Sequence, residues 1–178
     1  RYQSYRELAD VFFTLEGSAD RLASQQEWLK RIGLQVQIIP AAAKMRYHCA
    51  AAIASNQVVA LFTASQQLLL HCGFSAETAQ QALTPLFLGN ARHIAADGPI
   101  AALTGPVERG DAATLQLHLA ALETDDDRML YLLLSEYLLR AAQQKNPERD
   151  YTSIQQFIMN RKTALPNRQY DAVLTLKG

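Results

Sequence analysis

The sequence has no surplus of charge of either sign. Its 17 Lys and Arg residues balance 17 Asp and Glu residues, so the formal net charge at pH 7 is zero. Proteins that bind nucleic acid normally carry a basic excess, and we therefore expect no nucleic-acid partner. A neutral surface also does not oppose self-association, so the charge is compatible with an oligomer.

Long apolar runs and a cleavable leader are absent as well. The most apolar stretches, residues 58–70 and 129–139, are interrupted by Ser, Gln or Glu. Neither reaches the roughly 18 uninterrupted apolar residues that a membrane span requires. The sequence starts at Arg1 and shows no basic segment followed by an apolar one, so we expect no signal peptide and no membrane contact. These features predict a cytoplasmic protein.

Cysteine is scarce. Cys49 and Cys72 lie in a segment that reads as one helix, where their separation is about 34 Å at ~1.5 Å per residue. That distance excludes a disulfide and indicates reduced thiols. The neighbouring histidines, His48 and His71, are equally far apart on such a helix, so the two His–Cys pairs cannot share an ion. We expect no metal site.

The fingerprints of several common sites are missing too. The eight glycines never form GxGxxG or GxxxxGK[ST], and no GxSxG is present. The chain therefore lacks a recognisable loop for the phosphates of a nucleotide, and the residues that bind a dinucleotide stay unknown.

The first part of the chain predicts a strand–helix–strand unit. Residues 11–17 form an apolar run that ends in Gly17, Ser18 is a suitable N-cap for a helix through Ile32, and residues 34–39 alternate before Pro40. Such a unit is the building block of a parallel sheet. Because one unit cannot bury both faces of its strands, we interpret it as the edge of a larger α/β domain.

The rest of the chain predicts helices. Residues 41–72 contain neither Pro nor Gly and indicate one helix about 50 Å long. So long a helix needs support from others, and we expect two copies of the chain to pair through it as a homodimer. A further helix is predicted from residue 75 to about 97, with a bend or break at Pro85. A structured loop follows at 98–111, and three more helices are predicted over 111–122, 125–144 and 154–162. The last residues, 173–176, are predicted as a strand or an ordered extension.

One face of the long helix carries polar residues near its start. At about 100° per residue, Lys44, His48 and Ser55 fall on one stripe among alanines, with Asn56 near its edge. A cation, an imidazole and a hydroxyl beside small side chains are typical of a pocket wall. Geometry alone favours the simpler explanation, in which Lys44 is solvated at the first turn and His48 is a hydrogen-bonded interfacial histidine.

The second candidate stretch is LTGPVERGD, residues 103–111. Thr104 supplies a hydroxyl, Gly105 a flexible backbone, and Arg109 a guanidinium that can bind a carboxylate or phosphate bidentately. The alternative is a tight connection between helices in which Arg109 pairs with Asp111.

Two segments, KMRYHCAAAIASNQ (44–57) and GPIAALTGPVERGD (98–111), resemble a bacterial family of Rossmann-like proteins with a C-terminal helical domain of unknown function. Its members are similar to pyrroline-5-carboxylate reductase, ketopantoate reductase, and the 6-phosphogluconate and β-hydroxyacid dehydrogenases. The resemblance covers about residues 8–122. It implies a mainly α chain, with residues 1–40 as the C-terminal remnant of a Rossmann-like dinucleotide-binding domain. Residues 41–178 would then be a helical dimerisation and substrate domain, like the C-terminal domain of 6-phosphogluconate dehydrogenase.

The resemblance also implies an activity, that of an NAD(P)-dependent oxidoreductase acting on a small carbonyl, imine or hydroxy compound. NAD(P) would be held by a part of the full-length protein outside this chain. Lys44 is similar in placement to the lysine that polarises the substrate oxygen in β-hydroxyacid dehydrogenases, although His48 stands where those enzymes have an amide.

Within that activity the candidate residues divide into two groups. Lys44 or His48 would transfer the proton, and the substrate-binding residues would be Ser55, Asn56, Thr104 and Arg109. Thr104 opens a segment similar to the Ser/Thr–Pro–Gly loop of the proline-forming reductases, with the residues in a different order. The alternative is a non-catalytic dimerisation or ligand-sensing module that keeps the dehydrogenase scaffold.

Overall fold

A computed structural model describes residues 11–166 of the chain. The chain divides into two compact units between Thr63 and Ala64. The extension predicted at residues 173–176 lies outside the described residues. None of the helices in residues 11–166 combines the length and the apolar character that crossing a bilayer demands.

The first unit begins with the predicted strand–helix–strand arrangement. Strand β1 (Phe12–Leu15) pairs in parallel with strand β2 (Gln35–Ile38), in a register that sets Phe12 beside Gln35 and Leu15 beside Ile38. Helix α1 (Ala19–Arg31) connects the two strands and packs on β2. Leu22 of α1 and Val36 of β2 are the buried apolar side chains of this small layer. This part of the sequence-based prediction is confirmed, except that the side chain of Ser18 makes no capping hydrogen bond to α1.

The predicted long helix is helical throughout but is not one regular helix. A 3₁₀ turn (Ala41–Ala43) leads into helix α2 (Lys44–Ala52). A π-helical turn (Ile53–Gln57) follows, and then helix α3 (Val58–His71), which ends two residues before Gly73, a glycine with positive φ. No loop interrupts it, as the absence of Pro and Gly predicts. The π turn is the part that composition does not reveal, because it depends on a shift of hydrogen bonds from i→i−4 to i→i−5.

The second unit is helical. Its elements are the end of α3, α4 (Ala76–Ala102), α5 (Pro106–Arg109), α6 (Ala112–Ala121), α7 (Asp125–Lys145) and α8 (Thr152–Ala164). Ser75, Asp111 and Thr124 are the N-caps of α4, α6 and α7, and each accepts a hydrogen bond from the backbone N–H three residues later. Each side chain satisfies one of the N–H groups that the first turn leaves without a partner.

Two details of the prediction are wrong, namely a break at Pro85 and a loop over the whole of 98–111. Helix α4 continues through Pro85, and its backbone leaves helical geometry only at Gly98, where φ is 81° and ψ is 164°. Pro85 is tolerated because the carbonyl that loses its N–H partner belongs to Gln81, an exposed residue that water can solvate. The predicted loop at 98–111 is also partly helical, since it contains the last turn of α4 after Gly98 and the whole of α5.

The core of the second unit is arranged around α7. Leu132, Ser135, Leu139 and Ala142 form its buried face. Leu103 and Val107, from the segment between α4 and α6, join the same cluster, together with the α8 residues Ile154 and Ile158. The segment that carries Thr104 and Arg109 is therefore anchored by two apolar side chains in the core.

Candidate functional site

Lys44 begins α2 and lies at the carboxyl edge of the two-stranded sheet. Its ammonium group pairs with the carboxylate of Glu16, the residue directly after β1. The lysine side chain is 63% exposed and that of Glu16 33% exposed. An exposed pair of this kind contributes only about 0–1 kcal/mol to stability, so its main effect is to hold the ammonium group beside the end of the strand. Sequence reasoning missed Glu16.

His48 follows Lys44 one turn later on α2, as the sequence predicts, and its side chain is exposed in the single chain. Ser55 and Asn56 lie in the π turn rather than in an α-helix. The spacing of 100° per residue therefore does not hold for them, and their direction relative to Lys44 does not follow from the α-helical repeat. Ser55 Oγ donates to the carbonyl oxygen of Ala51 at 2.7 Å.

The second unit holds the other two candidate residues in one loop. Thr104 is exposed between α4 and α5, and Arg109 is the last residue of α5 with a side chain that is 59% exposed. Gly105 (φ 101°) and Gly110 (φ 80°) flank α5 in backbone conformations that only glycine adopts without strain. The side chains of Thr104 and Arg109 are thus both accessible to a ligand.

Asp111 follows this loop as the N-cap of α6. It accepts hydrogen bonds from Thr114 N–H at 3.0 Å and from Thr114 Oγ1 at 2.6 Å. Its carboxylate Oδ2 is also 4.0 Å from Arg109 Nη2, at the outer limit of an ion pair. The hydrogen bonds from Thr114 lower the pKa of Asp111, and the charge of Arg109 adds to the effect. The pairing of Arg109 with Asp111 is present but loose, so the guanidinium retains donors for another anion.

Behind the loop lies a polar network that sequence reasoning did not find. Glu108 accepts hydrogen bonds from Asn146, Arg149 and Tyr151, and Lys145 donates to carbonyl oxygens at the end of α4. The partners are about forty residues apart along the chain. No local pattern connects them, because tertiary packing alone brings the end of α7 against α5.

A separate cavity of about 460 Å³ lies in the second unit, where His71 and Cys72 face His118 and Tyr131. His118 Nδ1 and the Tyr131 hydroxyl are 2.8 Å apart, and burial raises the pKa of Tyr131, against a smaller lowering by its hydrogen bond with Ser135. Within residues 11–166, no three His, Cys, Asp or Glu side chains come together as a metal ion would need. Both cysteines are free and exposed.

These features define a mainly helical protein with a small parallel sheet at its N-terminal side and candidate residues in both units. Residues 11–138 match the family model described as a domain of unknown function, DUF2520, and the chain belongs to this family. The match includes both candidate stretches and ends inside α7. Neither the comparison with curated proteins nor that with solved structures gave a match.

Proposed function

We propose that this chain is the helical, substrate-binding and dimer-forming part of a cytoplasmic NAD(P)-dependent oxidoreductase that acts on a small carbonyl, imine or hydroxy compound. In this proposal the strand–helix–strand unit is the C-terminal remnant of a Rossmann-like domain. The helices that follow correspond to the C-terminal domain of the 6-phosphogluconate dehydrogenases.

The observation that carries the proposal is the position of Lys44 at the carboxyl edge of the parallel strands. Leu15 and Ile38 end the two strands side by side, and the Lys44 ammonium group pairs with Glu16 directly beyond Leu15. In open parallel sheets, ligands bind outside the carboxyl ends of the strands. The candidate proton donor is thus placed at the edge where that rule puts the ligand.

The described residues do not provide a pyrophosphate site, since the chain has no glycine-rich loop between a strand and a helix. We therefore assign cofactor binding to another part of the full-length protein and no cofactor contact to this chain. NAD(P)H, when bound, supplies or accepts a hydride. The residues of this chain supply the proton and the orientation of the substrate.

Lys44 and His48 suit the transfer of a proton to or from the oxygen or nitrogen of the substrate. An ammonium group is a donor, and an imidazole changes its protonation state near neutral pH. Both side chains lie on α2 one turn apart, and both are exposed in the single chain, where a substrate can reach them. Ser55, Asn56, Thr104 and Arg109 would then orient the substrate, Arg109 through a carboxylate or phosphate.

The homodimer is supported by apolar side chains that the single chain leaves exposed. On the long helical stretch, Met45, Ile53 and Val59 are 72%, 59% and 66% exposed. Exposed side chains of this size along one stretch are typical of an interface rather than of a monomer surface. The surface buried between two such helices packed together would exceed the roughly 1,000 Å² expected of a biological interface.

The decisive experiment uses the full-length protein. NADH and NADPH binding is measured by fluorescence, and oxidation of the bound cofactor is followed at 340 nm with a panel of small aldehydes, ketones, 2-oxoacids and cyclic imines. Turnover with any member, lost in Lys44→Ala, supports the oxidoreductase. Cofactor binding without turnover across the panel favours the ligand-sensing module, and no cofactor binding contradicts the proposal.

A further inference from the structure

A short segment after α7 holds the candidate substrate loop from behind. We call residues 103–111 the recognition loop. We call four side chains between the end of α7 and the start of α8 the clamp: Lys145, Asn146, Arg149 and Tyr151. The clamp lies beyond residue 138, where the family match ends.

Lys145 holds the start of the recognition loop. Its Nζ donates to the carbonyl oxygens of Ala101 at 3.1 Å and Leu103 at 2.6 Å. These carbonyls end the last turn of α4, where no later N–H group of the helix can reach them. A cation at this position both satisfies the carbonyls and interacts favourably with the negative end of the helix dipole.

Glu108 holds the middle of the loop through its backbone and its side chain. Its carbonyl oxygen accepts from Arg149 Nη1 at 2.5 Å and from the Tyr151 hydroxyl at 2.6 Å. Its carboxylate Oε1 accepts from Asn146 Nδ2 at 2.8 Å and from Arg149 Nη1 at 3.1 Å. Tyr151 is only 4% exposed and belongs to the core, so its hydroxyl is a fixed donor rather than a mobile surface group.

The two sides of the recognition loop therefore differ. Its inner side, with Leu103, Val107 and Glu108, is buried or hydrogen-bonded by the clamp. Its outer side presents Thr104 and Arg109, both exposed. Side chains carried on a loop fixed in this way lose less conformational entropy when they bind a ligand, and the gain appears as affinity.

We propose that the clamp residues are positioning residues, which hold Thr104 and Arg109 in the geometry that binds an anionic group of the substrate. The anion is a carboxylate or a phosphate, the two groups that a guanidinium binds with paired hydrogen bonds. This inference rests on the proposed function, in which Arg109 contacts the substrate.

The test compares Tyr151→Phe with Tyr131→Phe in the full chain. Each change removes one hydrogen-bonded hydroxyl and keeps the ring, but the Tyr131 hydroxyl pairs with His118 of α6, outside the recognition loop. Amide exchange is measured at Arg109, Gly110 and Asp111, whose N–H groups donate to carbonyls within the loop. We expect exchange about tenfold faster in Tyr151→Phe than in the control, because the recognition loop loses the hydrogen bond that the Tyr151 hydroxyl donates to the carbonyl oxygen of Glu108.

The second measurement is anion binding, by titration of the same variants with inorganic phosphate and, separately, acetate while the Arg109 resonances are followed. Tyr151→Phe should weaken anion binding about tenfold, and Tyr131→Phe should not. Arg149→Ala should weaken it similarly, whereas Arg149→Lys, which keeps a cationic donor, should restore most of the affinity. The anion that binds more tightly identifies the group.

The outcomes separate the two proposals. Anion binding that depends on Arg109 but is the same in Tyr151→Phe and wild type overturns the positioning role and leaves the proposed function standing. If Arg109→Ala does not change the binding of either anion, the role of Arg109 in the proposed function is overturned, whatever the exchange rates show.

Discussion

The Lys44 ammonium group pairs with the carboxylate of Glu16, a residue 28 positions earlier that directly follows strand β1. The pair ties the first turn of α2 to the carboxyl edge of the parallel sheet. It gives Lys44 a defined direction, which the helical pattern of the sequence does not specify.

Replacing Lys44 or His48 by alanine in the full-length protein should reduce turnover by about 10²–10⁴-fold, as expected when a proton-transfer group is lost. Both side chains are exposed, so the thermal midpoint should barely change. Lys30→Ala and His93→Ala, at exposed positions outside the candidate site, serve as controls and should retain full activity. A His48→Ala protein that unfolds would favour a structural role for that histidine.

Replacing Glu16 by glutamine should reduce turnover less than Lys44→Ala does, because the ammonium group stays but its orienting charge is gone. The change in unfolding free energy should be below about 1 kcal/mol, the range of exposed ion pairs. Glu27→Gln is the matched control, since Glu27 pairs with Arg31 at 2.7 Å on the surface of α1. Equal turnover in the two variants would show that the Glu16–Lys44 pair has no part in the reaction.

The protein should be a dimer at micromolar concentration in light scattering. Ile53→Asp or Val59→Asp places a charge at an exposed apolar position of the long helical stretch and should shift the mass toward that of the monomer. Leu117→Asp makes the same change at a 70% exposed position on α6, outside that stretch, and should leave the dimer intact. A stable monomer for the unmodified protein would rule out the homodimer.

The stability of the second unit should depend on the ionisation of Asp111. Hydrogen bonds from Thr114 lower its pKa below the ordinary 3.8, so the ionised carboxylate stabilises the folded chain above that value. The stabilisation is lost as the pH falls through the lowered pKa. Asp111→Asn keeps an N-cap without the charge, and its thermal midpoint should lie below that of wild type at pH 7 and approach it near pH 3.

Thr114→Val supplies the complementary variant, because it removes the hydroxyl that contributes most to the lowered pKa of Asp111. The pH dependence of the thermal midpoint should become shallower below pH 4. Parallel curves for wild type and Thr114→Val would contradict the assignment of this effect to Asp111.

Local patterns in the sequence determined most of the secondary structure. Residues at most a few positions apart specify the strand–helix–strand unit and the uninterrupted helical stretch after Ala43. They also specify the N-caps Ser75, Asp111 and Thr124. Capping and hydrophobic periodicity act over that range, which is why they can be recognised without tertiary information. The assignment of the candidate residues to proton transfer and substrate binding remains a prediction.

Tertiary structure decided what local patterns do not contain. No short window of sequence specifies the backbone shift of the π turn at Ile53–Gln57 or the continuation of α4 through Pro85. Nor does it specify the distant partners that Lys44 and Glu108 contact. The reason is physical: a hydrogen bond between residues about forty positions apart forms only after the packing of α5 on α7 has fixed both partners. The sequence by itself therefore determined which helices and strands form, whereas the packed fold determined how the side chains of the candidate site are held.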